Sequence, residues 1–89
     1  MTSEPIRVLL IDDHAVVRRG LRAFLTTYEE IEVVGEAESG AEGIELARQL
    51  LPHVVLMDLV MEGIDGIEAT RQIRTISPTT QVIVLTSYS

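Results

Sequence analysis

Four short apolar runs, Ile6 to Ile11, Ile31 to Ala37, Val54 to Met57 and Gln81 to Thr86, alternate with longer stretches of helical periodicity. Each run has the length of a strand and each connection can hold a crossover helix, so the pattern reads βαβαβαβ. Parallel strands covered on both faces read as continuous apolar runs, whereas edge strands can alternate. Val8-Leu9-Leu10-Ile11, Val54-Val55-Leu56-Met57 and Val82-Ile83-Val84-Leu85 are of the first kind. The second run carries Glu32 and Glu36 and is expected at an edge. The fourth has a central strand's composition with nothing after it to flank it, and an open apolar edge there invites pairing with another chain. The natural protein is therefore expected to continue.

Two helices carry start signals. Ser39 with Glu42, and Asp65 with Glu68, have the spacing of a capping box, so helices are expected to begin near Gly40 and Gly66. In the segment after the first strand, Val17, Leu21, Phe24 and Tyr28 recur at helical spacing while Arg18, Arg19 and Arg22 point elsewhere, which describes an amphipathic, half-exposed helix. The three arginines read as a solvated face or, if functional, as a contact for an acidic kinase surface.

The chain's 89 residues, 46% of them hydrophobic, can bury one modest core but not a second domain of ordinary size. No apolar run approaches the roughly 20 residues of a membrane span, and the polar start is no signal peptide, so a cytoplasmic protein is expected. Without cysteines, and with only His14 and His53, there is no disulfide framework and no zinc motif. Any metal would be held by oxygen. A net charge of -7 opposes nucleic-acid binding by this segment. All the basic residues are arginines, so no lysine-dependent phosphate loop can form, and no glycine-rich nucleotide-binding fingerprint is present.

In an open doubly wound sheet, ligands bind beyond the carboxyl ends of strands where strand order reverses. Asp12 and Asp13 follow the first strand and Asp58 follows the third. If those strands are neighbours, as in the flavodoxin-like order 2-1-3-4, the three carboxylates converge. Carboxylates 4 Å apart repel by about 4 kcal/mol per pair at an effective dielectric of about 20, so the site must protonate or bind a cation. Mg²⁺ suits oxygen ligands of this kind. Carboxylates also serve as phosphoryl acceptors, with the metal neutralising developing charge, and Asp58 suits that role. Thr86, ending the next strand, could donate a hydrogen bond to a phosphoryl oxygen. Against these stand plainer readings: Asp13 as a helix cap, Asp58 as a turn residue, Thr86 as a strand-end hydroxyl, His14 as structural or site-lining, His53 as a solvated loop residue, and Met57 with Met61 as core packing. Gly63 and Gly66 fit the backbone demands of a turn.

Val-Leu-Leu-Ile-Asp-Asp-His at 8 to 14, Val-Leu-Met-Asp-Leu-Val-Met at 55 to 61, Asp-Gly-Ile-Glu-Ala-Thr at 65 to 70 and Val-Leu-Thr-Ser at 84 to 87 together resemble the receiver domain of bacterial two-component response regulators. The first and third motifs resemble its NarL/FixJ subfamily, and the turn Met61-Glu62-Gly63 is similar to that of its cell-envelope stress regulators. The resemblance implies an α/β, doubly wound parallel sheet and makes residues 1–89 the N-terminal portion of a receiver domain, lacking its final helix, strand and helix. It implies that Asp58 accepts a phosphoryl group from a sensor histidine kinase or a small phosphodonor. Asp13 would contact Mg²⁺ directly, Asp12 largely through water, and Asp58 and the carbonyl of Val60 would complete the protein ligands. Thr86 would sense the phosphoryl group. The face beyond it would control a homodimer, or here a domain-swapped oligomer, and DNA would be bound only through an appended C-terminal domain. The family's fifth-strand lysine and switch aromatic have no counterpart, and Glu62 stands where many relatives carry proline.

Two other functions compete: a metal-dependent phosphatase using the same carboxylates, and a receiver that binds partners without phosphorylation. The haloacid-dehalogenase type of phosphatase would want Asp-x-Asp, whereas Asp12 and Asp13 are adjacent. A phosphoacceptor regulator, not a turnover enzyme, is the expected function.

Overall fold

The computed structural model describes residues 4–58 and 66–85. The elements run β1 (Ile6–Ile11), α1 (Ala15–Leu25), β2 (Ile31–Ala37), α2 (Gly40–Leu50), β3 (Val54–Asp58), α3 (Gly66–Ile76) and β4 (Gln81–Leu85). The strands form a parallel sheet in the order β2-β1-β3-β4, the flavodoxin-like order expected, with the charged β2 at an edge. β1 and β2 have the predicted bounds. β3 runs one residue further and takes in Asp58 as its last residue. Thr86, expected to close the fourth strand, lies outside the described residues, as do Val60 and the capping aspartate Asp65.

The core fills the face of the sheet covered by α2 and α3. Leu9 and Ile11 of β1, Ala37 of β2, and Val55 and Met57 of β3 meet Ile44 and Ala47 of α2 and Ala69 and Ile73 of α3. Each buried valine, leucine, isoleucine or methionine side chain there contributes roughly 1.5–3 kcal/mol. Strand side chains alternate between faces, so Val8 and Leu10, also buried, look to the opposite side, where α1 lies.

α2 starts as its sequence predicts. The Glu42 backbone N–H donates to Ser39 Oγ at 3.1 Å. The Glu42 carboxylate accepts from the Glu38 N–H at 2.8 Å, one residue earlier than an ideal capping box would place it. At the other end Leu51 takes a left-handed conformation with φ 46°, and its N–H closes onto the Ala47 carbonyl. Arg7, reaching across from β1, donates from Nη2 to the Leu50 carbonyl at 2.6 Å and from Nη1 to that of Leu51 at 3.1 Å. A cation on terminal carbonyls also suits the negative end of the helix dipole. His53 is exposed as expected but not merely solvated: its Nδ1 accepts from the Arg7 N–H at 2.9 Å, binding the start of β1 to the start of β3.

α1 departs from its predicted orientation. None of its residues is fully buried, and Val17, Phe24 and, just past its end, Tyr28 are exposed. The residues turned inward are Arg18, Leu21 and Leu25, at i, i+3 and i+7, a stripe rotated away from the one the apolar spacing marks out. Phe24 and Tyr28 instead pack edge to face on each other, with ring centroids 5.5 Å apart.

The β1–β2 ladder contains a bulge. Val8 lies opposite Val33, but Leu9 lies opposite Gly35, leaving Val34 as an extra residue. Beyond it Glu36 pairs with Leu10 and Ala37 with Ile11. The shift turns Ala37 into the core and Glu36 toward α1.

Candidate functional site

β1 and β3 are hydrogen-bonded neighbours, with Ile11 beside Met57, so their carboxyl ends deliver Asp12, Asp13 and Asp58 to one place. Asp12 and Asp58 are nearly buried, at 5% and 7% exposure, while Asp13 is exposed. One carboxylate oxygen from each of the three aspartates and one ring nitrogen of His14 all lie within 4.8 Å of one another. Asp12 is fixed from two sides. Its N–H donates to the Ala37 carbonyl at 3.0 Å, continuing the ladder beyond β1. Its Oδ1 accepts the His14 N–H at 2.7 Å, satisfying a donor at the start of α1. The N-cap position of α1 is His14, not Asp13, and its side chain makes no capping hydrogen bond; the Asp12 carboxylate accepts the N–H of that N-cap residue.

His14 is more central than the sequence suggested. Its Nδ1 lies 3.0 Å from Asp12 Oδ1, 3.0 Å from Asp13 Oδ1 and 3.7 Å from Asp58 Oδ2. The hydrogen bond to Asp12 raises the imidazole pKa above its ordinary value, followed by the charge of Asp13, with smaller support from the charges of Asp12 and Asp58 against a desolvation cost. A protonated ring there balances part of the negative charge. The sequence signal was its position, directly after the paired aspartates.

The three carboxylates offer hard oxygen donors in a compact group, which fits a small divalent cation such as Mg²⁺. The histidine nitrogen is not needed for that coordination. Val60 and Thr86, the other expected site residues, lie outside the described residues.

Arg18, which sequence reasoning left on a solvated face, is instead turned onto the end of β1. Its Nη1 donates to the Asp12 carbonyl at 2.5 Å. Its Nε lies 3.4 Å from Glu36 Oε1, and Arg22 Nη1 donates to Glu36 Oε2 at 2.7 Å. Arg19 remains exposed.

Comparison with known proteins agrees with this arrangement. The family model described as the response regulator receiver domain matches residues 8–89. The transcriptional regulatory protein LiaR of Bacillus subtilis is 61% identical over 83 residues, which is 93% of this chain and 39% of LiaR. The chain thus spans about two fifths of the length of the curated relatives it matches. Among solved structures, the signal receiver domain of NarL from Mycobacterium tuberculosis superposes with a TM-score of 0.90 at 34% identity, covering 98% of this chain and 70% of that one. The isolated receiver domain of RcsB from Salmonella enterica serovar Typhimurium, solved with the phosphomimetic BeF3-, gives 0.87 at 35% identity, covering 97% and 64%. With the motif order, the 2-1-3-4 sheet and the carboxylates at its β1/β3 edge all in agreement, the chain belongs to the response regulator receiver domain family of two-component signalling.

Proposed function

We propose that the chain is the phosphoryl-accepting portion of a two-component transcription regulator, with Asp58 as the acceptor. The observation that carries the reading is the meeting of Asp12, Asp13 and Asp58 within 4.8 Å at adjoining strand ends. Asp12 and Asp13 would hold Mg²⁺, together with Asp58 and the Val60 carbonyl. The cation supplies charge neutralisation for the incoming phosphoryl group. An Asp58 carboxylate oxygen attacks phosphorus, the bond to the donor breaks, and the donor atom leaves with the bonding electrons. For a sensor histidine kinase that atom is the ring nitrogen of a phosphohistidine. Asp12, held through both its N–H and its side chain, keeps its carboxylate aimed at the site during this step. Thr86, directly after β4, is assigned the sensing hydroxyl.

On this reading the chain is a regulator modified once per signal, not an enzyme with turnover, and it works in the cytoplasm as the N-terminal portion of a receiver. DNA contact belongs to a C-terminal output domain of the kind implied by the name of LiaR, a transcriptional regulatory protein. Homodimer formation would couple the two parts. A structural relative, the receiver domain of RcsB, was solved in the presence of the phosphomimetic BeF3-, which supports a phosphoryl-accepting reading of this chain. Among the described residues no helix is long and apolar enough to cross a membrane.

The test is intact mass after incubation with a small acyl phosphate, with and without Mg²⁺, for the wild type and Asp58→Ala. One added phosphoryl group, dependent on Mg²⁺ and absent from Asp58→Ala, is expected. A folded wild type that gains nothing refutes the acceptor reading.

A further inference from the structure

The Asp12–Asp13 peptide is held by more than its own strand. Past Ile11 the ladder continues through the Asp12 N–H, and the carbonyl of that residue accepts from Arg18 Nη1 at the fourth position of α1. The Arg18 side chain is 15% exposed, too enclosed for the solvated face or kinase contact that its spacing suggested. Its guanidinium is steadied by Glu36, which in turn accepts from Arg22 one turn further along α1. Glu36 is available because the bulge at Val34 turns it to this side of the sheet. A cation beside three carboxylates would ordinarily compete with a metal for them. Here Nη1 goes to a peptide oxygen, and Nε lies 3.4 Å from Glu36 Oε1 as an ion pair without a hydrogen bond, so the arginine can fix the backbone without consuming the carboxylate donors.

We propose that Arg18 is a positioning residue for the metal site: it locks the orientation of the Asp12–Asp13 peptide so that both carboxylates meet Asp58, and Glu36 holds Arg18 in place. The inference rests on the metal-site reading above. Partners that orient metal ligands commonly change metal affinity by about 10–100-fold when removed.

The experiment measures Mn²⁺ binding by the loss of free-ion EPR signal, alongside the Mg²⁺ concentration that half-saturates phosphorylation by an acyl phosphate. It compares the wild type, Arg18→Ala, Arg18→Lys and Glu36→Gln, with folding followed by circular dichroism. Arg18→Ala is expected to weaken Mn²⁺ binding about tenfold or more and to raise the Mg²⁺ requirement in step, leaving the KM for the phosphodonor unchanged. Arg18→Lys should recover part of the loss, because an ammonium can still donate to the carbonyl but cannot bridge two partners with a planar fork. Glu36→Gln should move in the same direction by less, and it decides the matter if Arg18→Ala does not fold. Folded variants that bind Mn²⁺ like the wild type overturn the proposal. A wild type that binds Mn²⁺ but takes no phosphoryl group would refute the acceptor reading, while an Arg18-dependent loss of Mn²⁺ affinity would still support this one. A wild type that binds no Mn²⁺ overturns both.

Discussion

Two glycine-to-alanine substitutions, both in helices, should change stability in opposite directions. Alanine is favoured over glycine in a helix interior by about 1 kcal/mol, and Gly20 in α1 has nothing within 4 Å of where a Cβ would sit. Gly20→Ala should therefore stabilise by up to about 1 kcal/mol, raising Tm by about 4–8 °C in a domain of this size. At Gly43 in α2 the new Cβ would stand 2.3 Å from Ile11 Cδ1, 2.8 Å from Cγ1 and 3.1 Å from Cγ2. Turning the outer methyl relieves only the first contact, and a β-branched side chain is stiff about the bond that would move the rest. Ile11 is fully buried and cannot swing into solvent. Overpacking of this severity costs up to about 3 kcal/mol, and subtracting the helix gain of about 1 leaves a destabilisation of about 2 kcal/mol. That corresponds to a fall in Tm of about 8–16 °C. Adding Ile11→Val removes Cδ1 and should return part of the loss, so the double variant should be more stable than the sum of the singles predicts. Urea and thermal unfolding of the wild type, the three single variants and the double variant measure these changes. A Gly43→Ala variant as stable as Gly20→Ala would refute the close approach of α2 to β1.

Leu51→Gly should stabilise by up to about 1 kcal/mol in urea unfolding, since the left-handed backbone there costs leucine and not glycine. Buried Thr80 spends its single hydroxyl proton on the Pro52 carbonyl at 2.7 Å, so Ser77 must be the donor in the 2.6 Å contact with Thr80 Oγ1. Thr80→Val should therefore cost about 1–3 kcal/mol in the same assay, by stranding both partners. Because the folded-state pKa of His14 is raised, the stability its imidazolium contributes is present below the ordinary histidine pKa and lost as pH rises through the raised one. NMR titration of the ring should show that raised midpoint, falling in Asp12→Asn; an unchanged midpoint in the variant would remove the hydrogen bond as its main cause.

The strands and the meeting of the aspartates were legible because both follow from local patterns plus one topological rule. The bounds of β1 and β2 are those of their apolar runs, and the first residue of α2 is the one after Ser39, the side chain that caps it. Once β1 and β3 are neighbours, Asp12 and Asp58 have nowhere else to go. The rotation of α1 was not legible, because hydrophobic spacing marks a stripe but not which partner will cover it, and here an arginine's contact with Asp12 helps fix the helix face. Arg18 looked like any charge on a helix until its carbonyl partner was known. His14 was underrated for a related reason: a histidine's weight in a site depends on what converges on it, and two of its three carboxylate neighbours stand within two residues while the third comes from another strand.

The extra residue in β2 gives that strand two phases. Before Val34, the residues paired with Ile6 and Val8 are Ile31 and Val33; after it, the residue paired with Leu10 is Glu36. Read with strict alternation from its start, the strand would send Glu36 into the core and Ala37 out of it. A single insertion thus separates two demands that one periodic pattern could not meet, letting the first half of the strand supply greasy side chains to the face where the second half supplies a carboxylate. A sequence comparison that treats a gap at this point as harmless loop variation would miss that it reverses every residue downstream, including the one that braces Arg18.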